Sequence, residues 1–206
     1  SVGGRVDRAT ARVERTVTAI LAGHRGPCGG GGRALAAQLG KSTVSMYQTI
    51  SDELLPTPSK SHYTFNLRDL AKVFQGMTQS NPKTVESPDQ LLRLWSHECL
   101  RVFSDRLVET KDTDWFFRLM TDQLKTTFKK SWEQVSGSEE QRVLYGDFMN
   151  EKADYLHMPN MEALINKMNG MLEDYNATSK RAMELVIFPF AVEHVCRVLR
   201  VIKQPF

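Results

Sequence analysis

The clearest chemical spacing in this 206-residue chain is Gly40, Lys41, Ser42 and Thr43, within the stretch "QLGKST". A Gly-Lys-Ser/Thr run closes the phosphate-binding loop G-x-x-x-x-G-K-[ST], whose glycines let successive backbone N–H groups wrap phosphate oxygens. Five residues before Gly40 stands Leu35, not the leading glycine. The preceding "GGGGRALAAQ" supplies no apolar β-branched strand to aim such a loop. The motif therefore reads as a chance match, and no phosphate is expected at Lys41.

Other constellations are sparser. His24, His62, His97, His157 and His194 show no ligand spacing with cysteines or paired carboxylates, so no metal site is expected. No G-x-S-x-G elbow supports a Ser–His–Asp arrangement. Met158, Met161, Met168 and Met171 read as helix packing rather than as a ligand groove. Arg68 is different by context. It falls in the first turn of an expected helix, just after the aromatic "HYTF". A helix N-terminus favours anions. On the residues alone, a plain surface pair with Asp69 is the commoner role for such an arginine.

The elements that must position these residues are helical. "STVSMYQTISDELL" places Val44, Tyr47, Ile50 and Leu54 at helical spacing, and Pro56 and Pro58 stop it. In "FNLRDLAKVFQGM" Asn66 and Asp69 form a capping box, and Leu67, Leu70, Phe74 and Met77 form the stripe. "ESPDQLLRLWSHECLRVFSDRLV" is capped by Ser87, opened by Pro88 and lined by Leu91, Trp95, Val102 and Phe103. "DTDWFFRLMTDQLKTTFKKSW" turns Trp115, Leu119, Leu124 and Phe128 inward. "QRVLYGDFMN" is a short strand or extended connection. "PNMEALINKMNGMLEDYN" is a helix beginning near Pro159, and Pro189 kinks or divides the long apolar segment that comes after it. Six helices with little strand make the chain mainly α.

Composition sets the outer limits. Hydrophobic residues at 41% and charged residues at 25% fit an ordinary globular domain. The net charge of +3 gives no argument for nucleic acid. Residues 1–44 hold seven Arg/Lys against two Asp/Glu, while residues 45–206 hold twenty against twenty-two. Nine of the thirteen glycines also lie in 1–44. Residues 1–43 therefore read as a flexible Gly/Arg-rich extension, foreign to the rest of the chain. Cys28, Cys99 and Cys196 are odd in number and widely spaced, as reduced thiols of an intracellular protein would be. No apolar run approaches the length of a membrane span, and no secretory signal is visible.

"LLPTPSKSHYTFNLRDLAKVFQGM", "LLRLWSHECLRVFSDRLV", "DTDWFFRLM" and "VLYGDFM" resemble, in order, the helical lid of the third AAA+ module of axonemal dynein heavy chains. "EDYNATSKRAMELVIFPFAVEHVCRVLRVIKQP" resembles the lead-in to the fourth module. The resemblance covers about residues 44–205 and implies a lid over 44–150, then a linker helix and the start of the next module over 151–206. It also implies the sensor-2 role for Arg68, reaching from the lid to the phosphates of ATP bound by its own module. Glu184, Leu185, Val186, Ile187 and Phe188 would lead into an adenine pocket, although Pro189 and Phe190 replace a more polar pair.

The parent implied is an ATP-driven, minus-end-directed microtubule motor of cilia and flagella, cytoplasmic and axonemal. It would use ATP/ADP with Mg, and its partners would be the rest of its ring, intermediate and light chains, and microtubules. This segment would sense nucleotide and pass movement between modules. It would be neither an enzyme nor a nucleotide binder by itself, because the phosphate loops flanking it fall outside. A standalone helical interaction module, or a small nucleotide-binding enzyme using "GKST", are the rival readings.

Overall fold

The computed structural model describes residues 31–81, 84–85, 87–137 and 142–203. Apolar spacing creates its first element, helix α1 (Gly31–Glu53). Ala36, Leu39, Met46 and Ile50 are fully buried, at separations that hold them on one face. This corrects the expected extension. Residues 31–43 are helical, and Ala36, Leu39 and Thr43 continue the buried stripe of Met46 and Ile50 backwards. The remainder of that expectation, residues 1–30, lies outside the described residues.

Helix α2 (Leu67–Met77) starts on the anticipated reciprocal box: the Asn66 side chain accepts from the backbone, and Asp69 accepts from the Asn66 N–H. Leu70, Val73, Phe74 and Met77 are buried, but Leu67 is 39% exposed and lies off the stripe. Helix α3 (Pro88–Phe103) has Pro88 in its first turn and a second box between Ser87 and Gln90. It is the centre of the unit, with Trp95, Cys99 and Phe103 fully buried.

Helix α4 (Thr110–Gln123) widens into a π-helical turn, Leu124–Phe128, and ends at Lys129 in the left-handed conformation. Its buried face is Phe116, Met120 and Leu124, not the expected Trp115 and Leu119, which are only half-buried. The reason is angular. Residues four apart drift slowly round a helix, so Leu124 shares a face with Phe116 and Met120. A short helix α5 (Trp132–Ser136), capped by a Ser131–Gln134 box, completes the unit. Helix α2 packs on α3, α3 on α5, and α1 against α2, α3 and α4.

A second compact unit, Val143–Phe206, comes after the first, Ser1–Arg142. It contains a two-residue antiparallel pair, β1 (Tyr145–Gly146) with β2 (Leu156–His157), and helices α6 (Met161–Thr178) and α7 (Pro189–Ile202). Its core joins Leu144, Met158, Leu164, Val192 and Cys196. The division therefore precedes the anticipated boundary at 150, because Leu144 packs with residues C-terminal to it. Asn160 caps α6, and Pro189 opens α7 rather than kinking it. Among the described residues the chain has seven helices and no other strands, and no helix is long and apolar enough to cross a membrane.

Candidate functional site

"GKST" lies inside α1, where its backbone is helical and the Thr43 hydroxyl is already engaged. The Thr43 hydroxyl donates to the Leu39 carbonyl at 2.7 Å and accepts from Trp95 Nε1 at 2.8 Å. Ser42 and Thr43 are buried, and only Lys41 is exposed. A helical backbone turns its N–H groups along its own axis to preceding carbonyls, so none is free to wrap a phosphate.

Arg68 stands on the first turn of α2, exposed, with its backbone N–H donating to Asn66 Oδ1 at 2.8 Å. Among the described residues no ion pair holds its guanidinium. The alternative surface partner, Asp69, is committed elsewhere. Its carboxylate is buried and accepts from Arg106 Nη2 at 3.0 Å, with Lys72 Nζ at 3.6 Å. Arg106 also donates to the Thr64 carbonyl at 3.1 Å, and its guanidinium lies 5.1 Å from the centre of the Phe65 ring. His62 Nε2 donates to the Arg106 carbonyl at 3.0 Å. The turn leading to Arg68 is thus fixed by Arg106, in the 3-10 turn that follows α3.

A second anchor holds the start of the same turn. Tyr63, almost completely buried, donates to Asp112 Oδ2 at 2.8 Å and accepts from the Val108 N–H at 3.0 Å. Lys60 Nζ bonds the same Asp112 oxygen at 2.7 Å and Glu109 Oε2 at 2.8 Å. The hydrogen bond from Lys60 is the main cause holding the Asp112 carboxyl below its usual value; burial opposes it and Tyr63 adds to it. Reciprocally, hydrogen bonds to Asp112 and Glu109 push the Lys60 ammonium pKa up.

These anchors are tertiary pairs that sequence reasoning missed. Arg106 and Asp69 are 37 residues apart, and Lys60 and Asp112 are 52, so no local pattern announces either.

A carboxyl with a depressed folded-state pKa contributes stability above its unfolded value, near pH 4, and loses it as pH falls through the lower folded value. Asp112→Asn is therefore expected to reduce stability at neutral pH and to flatten the loss of stability below about pH 4. Urea midpoints across that range check this. Parallel pH profiles for the two proteins would remove Asp112 from the account.

Residues 184–188 belong to the C-terminal unit and lead, without regular secondary structure, into α7. Ile187 packs against the unit's core, whereas Leu185, Val186 and Phe188 are exposed and Glu184 is on the surface. The Asn176 side chain holds the start of the stretch by bonding both the N–H and the carbonyl of Met183, at 2.8 and 2.9 Å. Arg68 and these five residues lie in different units.

Burial pushes the Cys99 thiol well up, and Cys99 and Cys196 are both buried. Among the described residues no cluster of His, Cys, Asp and Glu is arranged to hold a metal ion.

Comparison with known proteins supplies the family. Residues 39–138 match the AAA+ lid domain. The chain is 44% identical over 169 residues to dynein axonemal heavy chain 1 of Homo sapiens, covering 80% of this chain and 4% of that protein. It is 41% identical over 166 residues to human dynein axonemal heavy chain 2, covering 80% and 4%. Identity to the Chlamydomonas reinhardtii dynein-1-beta heavy chain of the flagellar inner arm I1 complex is 39% over 178 residues, covering 84% and 4%. The chain thus spans about 4% of the length of these relatives. Its helical first unit coincides with the matched lid, and the ordered similarity runs on beyond it: the chain belongs to the axonemal dynein heavy chains, of which it is a segment carrying an AAA+ lid domain.

Proposed function

We propose that this segment is the regulatory lid of the third AAA+ module of an axonemal dynein motor, and that Arg68 is its nucleotide sensor. The parent would be an ATP-driven, minus-end-directed microtubule motor of the ciliary or flagellar axoneme. The rest of its ring would be the immediate partner, and dynein intermediate and light chains would join through the parent complex. The observation carrying the sensor role is the state of Arg68: exposed on the first turn of α2, without an ion pair among the described residues, beside an aspartate already neutralised by Arg106.

ATP or ADP with Mg fits such a residue. The phosphate supplies an anionic group whose charge differs between the two nucleotides. A guanidinium donates two parallel hydrogen bonds to phosphate oxygens and keeps its charge at all physiological pH values. A contact stronger in one nucleotide state than in the other shifts the lid between positions, and the lid passes that shift to its neighbour. The segment contributes this contact and its packing faces, while the chemical step belongs to residues elsewhere in the parent. Residues 184–188 would lead into the adenine pocket of the fourth module. Exposed Leu185, Val186, Phe188 and Phe190 agree with a surface covered by the rest of the ring.

In the full heavy chain, Arg68→Ala is expected to weaken the response to nucleotide at this module by about 1.5–3 kcal/mol, the range for hydrogen bonds to charged groups. The lid fold should survive, since the side chain is exposed. Release from microtubules across a Mg-ATP titration is the measurement. A curve superimposable on that of the unsubstituted motor would take the sensor role away from Arg68.

A further inference from the structure

We propose that Arg106 is a positioning residue for Arg68, acting by neutralising the Asp69 carboxylate that would otherwise oppose an anion at the same turn. The inference rests on the reading of Arg68 as the nucleotide sensor.

Asp69 is the residue directly after Arg68, and its side chain is only 2% exposed. Its two oxygens accept from the Asn66 N–H at 2.9 Å and from Arg106 at 3.0 and 3.4 Å. A carboxylate at this position caps the helix, yet it also places a full negative charge one residue from the proposed phosphate contact. Burial keeps water from screening that charge, so a cation must cancel it. Lys72 approaches to 3.6 Å, but its side chain is 52% exposed. Arg106 is the better-held partner: 24% exposed, doubly bonded to Asp69, bonded to Thr64 and stacked on Phe65. Its place is fixed before any ligand arrives. The cap is thereby retained, and the first turn remains cationic through Arg68.

Removing Arg106 leaves Asp69 repelling a phosphate within roughly one helical turn, which at an effective dielectric between protein and water corresponds to about a fivefold loss of anion affinity. The full heavy chain is titrated with the fluorescent nucleotide mant-ADP in Mg²⁺, and thermal unfolding of each variant is recorded alongside. Arg106→Ala is expected to weaken binding at this module about fivefold. Arg106→Ala combined with Asp69→Asn restores the charge balance and should return to within about twofold of the unsubstituted chain. Arg106→Lys, which keeps the charge, should also stay within about twofold.

A purely structural Arg106 predicts the opposite, because the double variant has lost both halves of the anchor. The inference fails if the double variant binds as weakly as Arg106→Ala, or if Arg106→Lys does. It also fails if Arg106→Ala binds normally. If Arg106→Ala alone does not fold, the double variant and Arg106→Lys decide the matter. Normal binding by Arg68→Ala would instead overturn the sensor reading itself, and this inference with it.

Discussion

Trp95→Ala is expected to destabilise the first unit by about 3–5 kcal/mol, the range for deleting a large aromatic from a core. Trp95 is completely buried at the middle of α3, and its ring lies 5.5 Å from that of Phe128 in the π-helical turn. The indole N–H donates to Thr43, which in turn donates to Leu39, so one residue ties α3 to α1 by both packing and hydrogen bonding. Alanine leaves a large cavity between three elements that cannot all collapse into it. Domains have only about 5–15 kcal/mol in total, so the loss is a large part of the whole.

Two milder variants separate the contributions. Thr43→Val keeps the shape but leaves the buried indole N–H without its acceptor, an expected cost of about 1–3 kcal/mol. Lys41→Ala, two residues away on the exposed side, should stay within about 0.5 kcal/mol. Urea unfolding monitored by helical circular dichroism measures all three. Should Lys41→Ala prove as damaging as Trp95→Ala, the placement of this motif within α1 would be wrong.

What could be read from the sequence depended on how local each determinant is. Asn66 with Asp69, and Ser87 with Gln90, satisfy exposed backbone donors within one turn, and the two helix starts fall where Asn66 and the Ser87–Pro88 pair predict. Pro189 likewise marks the start of α7. Helix α1 was harder. Four consecutive glycines and an excess of basic charge before residue 44 outweighed a stripe built partly from small and polar side chains, Ala36 and Thr43. The box at Ser131 and Gln134 is a local signal of the same kind, and it starts α5.

The candidate site divides in the same way. Arg68 could be placed on a first turn from its neighbours alone. Arg106, in the 3-10 turn after α3, pairs with the neighbouring Asp69, a contact that no spacing rule reveals. The division between the two units also depends on a distant contact set. Leu144 joins Leu164, Val192 and Cys196, so the chain just after residue 142 packs with residues C-terminal to it.

The 206-residue chain by itself is expected neither to hydrolyse ATP nor to bind it tightly. Hydrolysis requires a loop cradling the β- and γ-phosphates, an acidic group placing Mg²⁺ and a residue orienting water. To serve as that loop, "GKST" would have to leave the helix at its centre. Doing so would break the Trp95–Thr43–Leu39 relay and expose Leu39 and Met46, both fully buried. Each buried aliphatic side chain so exposed costs about 1.5–3 kcal/mol before any ligand contact is made. Arg68 offers the other source of affinity, worth about 1.5–3 kcal/mol as a charge-assisted contact. A dissociation constant of 1 μM needs about 8 kcal/mol, so a lone arginine leaves binding in the millimolar range or weaker. Calorimetric titration with Mg-ATP should accordingly give no measurable heat of binding at micromolar protein, and Lys41→Ala should change nothing. A low-micromolar constant that disappears in Lys41→Ala would mean that α1 opens to bind phosphate, and that the motif's helical placement describes only one of its states.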